Sequence, residues 1–113
     1  MDSLDWVKEF PSAVTVCDKE GRILYMNERS ADTFKKKGGL KLIGTNVLDC
    51  HPEPSKTKLK EMLENGKSNV YTIEKNNVKK LINQSPWYRE KKYAGFVEIS
   101  IEIPSELPNF QRE

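Results

Sequence analysis

The stretch that decides the fold is Ala13–Phe34, AVTVCDKEGRILYMNERSADTF, with two short apolar runs on either side of a tight turn and then an Asn-led helix. Val14 and Val16 alternate with Thr15 and Cys17, the period-two spacing of a half-buried strand. Asp18-Lys19-Glu20-Gly21 carries turn chemistry, with Gly21 free to take a positive φ. Arg22 to Met26 then reads as a second strand paired back on the first. Asn27 stands at an N-cap position, and Ala31 with Phe34 forms the i, i+3 apolar pair that packs a helix, expected over about 27–37, against a sheet.

Upstream, Asp2 or Ser3 is placed to cap a short helix over 2–10 whose apolar face is Leu4, Trp6, Val7 and Phe10. A face that apolar must cover something, either one edge of the sheet or a second chain. Downstream, Gly38-Gly39 ends the first long helix, and Leu40, Leu42, Ile43, Val47 and Leu48 recur at the uneven spacing of short helical turns. Pro52 and Pro54 lead into a helix from about Ser55 to Asn65, closed by Gly66, in which Leu59, Met62 and Leu63 make one apolar stripe among lysines and glutamates. Three strands complete the pattern: Asn69 to Lys75, Val78 to about Tyr88, and Tyr93 to Ile103, joined by turns at Asn76-Asn77 and Arg89 to Lys92. Val97, Ile99, Ile101 and Ile103 alternate with Glu98, Ser100 and Glu102, so the isoleucine face is expected to be core and the glutamate face wet.

These segments resemble a PAS domain. Leu42-Ile43-Gly44 falls where that family carries Leu-Ile-Gly, and His51-Pro52-Glu53 falls where it often carries His-Pro. Gly95-Phe96-Val97-Glu98-Ile99 is similar to the family's last hairpin, and the resemblance spans about residues 12–103. It implies an α+β fold: a five-stranded antiparallel sheet with helices packed on one face and an N-terminal cap helix. The whole of 1–113 then makes a single domain with a Pro-containing tail at 104–113.

Composition narrows the function. The chain has 113 residues, enough for one independently folding domain. No apolar run nears the roughly 20 residues that a membrane helix needs, and the acidic, amphipathic start is unlike a signal peptide, so a cytoplasmic protein is expected. The net charge of +2 is a small excess over many charges of both signs. Lys35-Lys36-Lys37, the one unbroken basic run, lacks the aromatics or arginines of a nucleic-acid surface and reads as a solvated helix end. Two cysteines, Cys17 and Cys50, are too few for a disulfide framework and read as free thiols.

Chemistry-bearing groups are sparse. His51 is the only histidine, and Cys17, Cys50 and His51 fall one ligand short of a zinc site. Haem needs a single protein ligand, so a haem sensor using His51 stands as an alternative. No nucleophile–base pair and no phosphate-binding loop occurs, and an enzyme is not expected. Leu48-Asp49-Cys50-His51-Pro52 does not match the Asn-Cys-Arg context of the light-sensing PAS branch, and flavin is not expected. The cofactor is otherwise unknown.

The third and fourth strands are dense in polar and aromatic residues: Asn69, Tyr71, Thr72, Asn83, Gln84, Ser85, Trp87 and Tyr88. Inward Tyr71 and Asn83 beneath the Leu59, Met62 and Leu63 stripe would make a pocket with directed polar groups, and His51, Val97 and Ile99 complete the expected lining. The resemblance implies dimerisation through the outer sheet face and leading helix, for which Trp6, Phe10, Trp87 and Phe96 are the candidates. The last strand runs into Pro104 rather than a signalling helix, which reads as a short stand-alone sensory module. On that reading it binds a small ligand, forms a homodimer, and signals through a separate partner protein rather than nucleic acid or membrane. The alternative is a ligand-free interaction or dimerisation module.

Overall fold

The computed structural model describes residues 5–113. Five strands form one antiparallel sheet in the spatial order β2-β1-β5-β4-β3, where β1 is Ala13–Asp18, β2 Ile23–Met26, β3 Asn69–Lys75, β4 Val78–Arg89 and β5 Lys92–Ile103. Three α-helices accompany it, α1 at Asp5–Lys8, α2 at Glu28–Thr33 and α3 at Ser55–Asn65. Short 3₁₀ turns at Lys35–Lys37, Gly39–Leu42 and Val47–Cys50 link the last two. The expected caps Asp2 and Ser3, and Leu4 of the apolar face, lie outside the described residues.

Local chemistry accounts for each boundary. Asp18 Oδ1 accepts from the amides of Glu20 and Arg22, closing the first hairpin. Gly21 sits at φ 92°, and a Cβ there would lie 2.8 Å from Asn46 Oδ1. The expected helix over 27–37 is shorter than its apolar pair suggests. It leaves α geometry at Phe34 and finishes as a 3₁₀ turn over the three lysines, the usual tightening of a last turn before glycine. Both remaining hairpins turn through paired positive-φ residues, Asn76-Asn77 and Glu90-Lys91, as two-residue loops between twisted strands require. α3 starts with the Glu53 carboxylate accepting from the Thr57 amide and hydroxyl. It ends on Gly66 in the left-handed region.

The segment around Leu42-Ile43-Gly44 covers the exposed edge of β2. Ile23 N donates to Thr45 O and Gly44 N to Ile23 O, both at 2.8 Å, while Arg22 Nη1 reaches Gly44 O at 2.7 Å. These bonds occupy both backbone groups of Ile23 and blunt this end of the edge strand.

The core lies between the sheet and α3. Cys17, Leu63 and Phe96 are buried together, with Val47, Leu48, Leu59, Met62 and Tyr93 packed around them. Tyr93 meets Phe96 edge to face at 6.1 Å and donates its hydroxyl to Leu63 O at 2.7 Å, binding β5 to the end of α3. At Gly95, φ is 153° and a Cβ would come within 2.0 Å of Cys17 O. That same carbonyl accepts from Trp87 Nε1 at 2.9 Å, so β1, β4 and β5 close on one another where only glycine fits.

The assignment of sheet faces corrects the sequence reading. β5 pairs with β1 through Cys17↔Phe96 and Thr15↔Glu98, and with β4 through Gln84↔Glu98 and Ile82↔Ser100. Phe96, Glu98 and Ser100 therefore share the helix-covered face, and Val97, Ile99, Ile101 and Ile103 point the other way. Only Phe96 of this strand's large apolar side chains is fully buried, and Ile101 is exposed.

Candidate functional site

Between the sheet and the turns leading to α3 lies a cleft with a cavity of about 380 Å³, at the lower end of the size range of small-molecule sites. Its floor consists of inward residues of adjacent strands: Thr15 on β1, Glu98 on β5, Gln84 on β4 and Tyr71 on β3. Its walls and roof come from Ile23 and Met26 on β2, Phe34, Leu42, Val47, and the Cys50-His51-Pro52 loop. A smaller extension of about 60 Å³ runs under Leu59 and Met62 to Cys17 and Phe96.

The floor carries a chain of polar side chains. Gln84 Nε2 donates to Glu98 Oε2 at 3.0 Å and approaches Tyr71 Oη at 3.5 Å, while Asn69 Nδ2 donates to Gln84 Oε1 at 3.3 Å. Beside it, Thr15 and Ser30 share a hydroxyl hydrogen bond at 2.5 Å. Burial, reinforced by the neighbouring Glu98 charge, pushes the Tyr71 phenol up from its ordinary value. Cys17 is raised mainly by burial, with smaller contributions from Asp18 and Glu98, which makes it a poor nucleophile. Cys17 is a buried free thiol and Cys50 an exposed one.

Four of the expected lining residues border this cleft, His51 and Tyr71 in the main cavity and Leu59 and Met62 in its extension. Leu63 instead fills the core beneath it. Asn83, Val97 and Ile99 are corrections: Asn83 pairs with Ile99, and Ser85 with Val97, on the outer sheet face, one residue out of phase with the floor. Glu98 and Thr15 were missed because alternation in β5 and β1 assigned the floor positions to the wet side. Gln84 and Asn69 were legible as polar density but not as inward groups.

Of the expected partner-contact residues, Phe96 is 5% exposed and belongs to the core, which corrects its assignment to a surface. Trp6 is 62% exposed and meets Phe10 edge to face at 5.8 Å. Trp87 lies half-buried over Gly95, with the Arg89 guanidinium 5.4 Å from its ring.

His51 Nδ1 donates to the Val47 carbonyl at 2.7 Å, fixing the ring against its own loop where the residue lines the cleft. The surroundings do not suit a porphyrin, whose broad apolar face would bury the Glu98 carboxylate and Gln84 amide against it. Among the described residues no three His, Cys, Asp or Glu side chains gather as a metal site. Nor is any helix among them long and apolar enough to cross a membrane.

The sheet has the order β2-β1-β5-β4-β3 with helices on one face, and a family model described as PAS domain matches the sequence over residues 11–86. The chain belongs to the PAS domain family. PAS domains typically serve as sensory and signalling modules. Among solved structures, it is similar to the PAS domain of BvgS from Bordetella pertussis, with 17% identity, a TM-score of 0.64, and coverage of 88% of this chain and 82% of that one. It is also similar to the PAS domain of the histidine kinase ThkA, with 19% identity, a TM-score of 0.61, and coverage of 80% and 97% respectively. A third likeness is to the Aer2 receptor from Vibrio cholerae, described as a dual PAS-haem oxygen sensor, with 14% identity, a TM-score of 0.62, and coverage of 82% and 95%. At these identities the likeness is one of fold. No curated protein matches the chain.

Proposed function

We propose that this PAS domain is a sensory module, not an enzyme, that binds a small polar molecule in the cleft between its sheet and the His51 loop. The observation that carries this reading is the floor: Gln84, Tyr71 and Glu98 are linked side chain to side chain, with Asn69 bonded at one end, beneath a cavity of about 380 Å³ whose wall is largely apolar. Directed polar groups on an apolar wall orient ligands, whereas a purely structural core gains nothing from them. Binding would act by shifting populations between arrangements of the cleft-covering segments, to the extent that the ligand prefers one of them.

The outer sheet face is the proposed exit for the signal. Val97, Ile99 and Ile103 are half-buried there and Ile101 is exposed, a row of apolar side chains suited to a second copy of the chain or to a separate partner protein. A cytoplasmic setting fits Cys17 and Cys50, both free thiols.

Native mass spectrometry of the purified protein, followed by a thermal-shift screen of a metabolite library, tests the ligand reading. A bound mass or a reproducible rise in Tm is expected for the wild type and should be lost in Gln84→Leu. An empty protein whose Tm responds to nothing in the library would leave the ligand-free interaction module as the better description.

A further inference from the structure

We infer that the cleft selects a small organic cation, a protonated amine on an apolar body, with Glu98 as its counter-ion. The inference rests on the reading of the cleft as a ligand site and names the chemistry of its occupant.

Glu98 stands on the central strand β5, directly between Thr15 on β1 and Gln84 on β4. It lines the main cavity of about 380 Å³, the extension of about 60 Å³ beneath Leu59, and a third of about 180 Å³ beside Phe34. Among the described residues its carboxylate accepts one side-chain hydrogen bond, on Oε2 from Gln84. The ion pair found among the described residues is Arg29 with Glu102, and Glu98 has no such partner. A half-buried carboxylate with one neutral donor is incompletely compensated for the water it has lost. A cation entering the cleft would supply the missing charge.

Three cationic side chains line these cavities, Lys37 and Lys58 exposed and Lys80 half-buried. Lys37 lines the main cavity, Lys58 the cavity near Ser55, and Lys80 the cavity beside Phe34. None is within ion-pair distance of Glu98. An anion on the floor would place its charge against Glu98, whereas an ammonium there meets a carboxylate that no lysine neutralises. Two further polar side chains, Tyr71 and His51, line the same space. Leu42, Val47, Leu59 and Met62 accommodate an apolar body.

The test uses three probes of equal chain length, n-hexylamine, 1-hexanol and hexanoate, titrated into the full chain and followed by amide chemical shifts. Hexylamine is expected to perturb Glu98, Gln84 and Tyr71 and to bind about tenfold more tightly than the other two. Glu98→Gln should abolish that preference with near-ultraviolet circular dichroism unchanged. The wild-type ranking decides the matter by itself if that variant does not fold. Equal binding of all three probes, or a preference for hexanoate, overturns the cation while leaving a ligand cleft in place. No response at the cleft to any probe, in a protein that also purifies empty, overturns the cation and the ligand reading together.

Discussion

Asn27 carries more of the fold than a helix start requires. As the N-cap of α2 its Oδ1 accepts from Ser30 N, but the same oxygen also accepts from Val14 N on β1. Its Nδ2 donates to Val7 O and Ser12 O. One side chain, 1% exposed, thus joins the leading helix, the first strand and the second helix. Asn27→Ala strands two buried donors, one buried acceptor and one half-buried acceptor, and should lower unfolding free energy by about 3 kcal/mol, read from the urea midpoint at constant m-value. Asn27→Asp keeps the accepted bonds but sets a carboxylate oxygen against two carbonyls, so it should rescue little. The cap was legible in the sequence, since Asn before an apolar helical pair has one common use. Its long-range bonds were not, because nothing local specifies which carbonyls a buried amide will meet.

At the scale of elements, the strand periods were legible and their facing was not. Alternation in β5 groups Val97 with Ile99 and separates both from Glu98, but it is symmetric under exchange of the two sheet faces. The choice was made by α3 and the turns before it, which cover the face of Cys17 and Phe96. The link between β5 and α3 through Tyr93 has a consequence at high pH. Burial raises the Tyr93 phenol above its ordinary value of 10.0, and burial together with Glu98 raises Tyr71 likewise. A phenol raised on folding holds its proton longer in the native state than in the unfolded one. Its stabilising effect is whole below about pH 10 and is lost as the pH climbs through the native value. Tyr93→Phe, which forfeits the hydrogen bond to Leu63 O, should be about 1 kcal/mol less stable than wild type at pH 7. The gap should narrow above about pH 10, where wild type begins to lose what the variant never had. Urea denaturation of both proteins from pH 7 to 11 measures it, and parallel curves would contradict the assignment.

For the molecule as a whole, one sheet face is covered by helices and the other carries Val97, Ile99, Ile101 and Ile103 at various degrees of exposure. Self-association over that face predicts that Ile101→Lys converts a dimer to a monomer in light scattering at micromolar concentration, with the circular dichroism of the fold retained. An unchanged mass would assign the face to another partner or to none. Because Ile101 is already 42% exposed, the substitution should alter stability by less than about 0.5 kcal/mol in the monomer.

The order of strands, turns and caps was determined by the sequence itself, because each depends on contacts within a few residues: Asp18 with Gly21 at a hairpin, Asn76-Asn77 at another, Gly66 closing a helix. The cleft was decided only by tertiary structure. Thr15, Tyr71, Gln84 and Glu98 come from four strands, and their meeting on one floor depends on registers and on which face the helices cover. Those are long-range choices, made where burial of Cys17, Leu63 and Phe96 outweighed the stronger apolar alternation of the last strand.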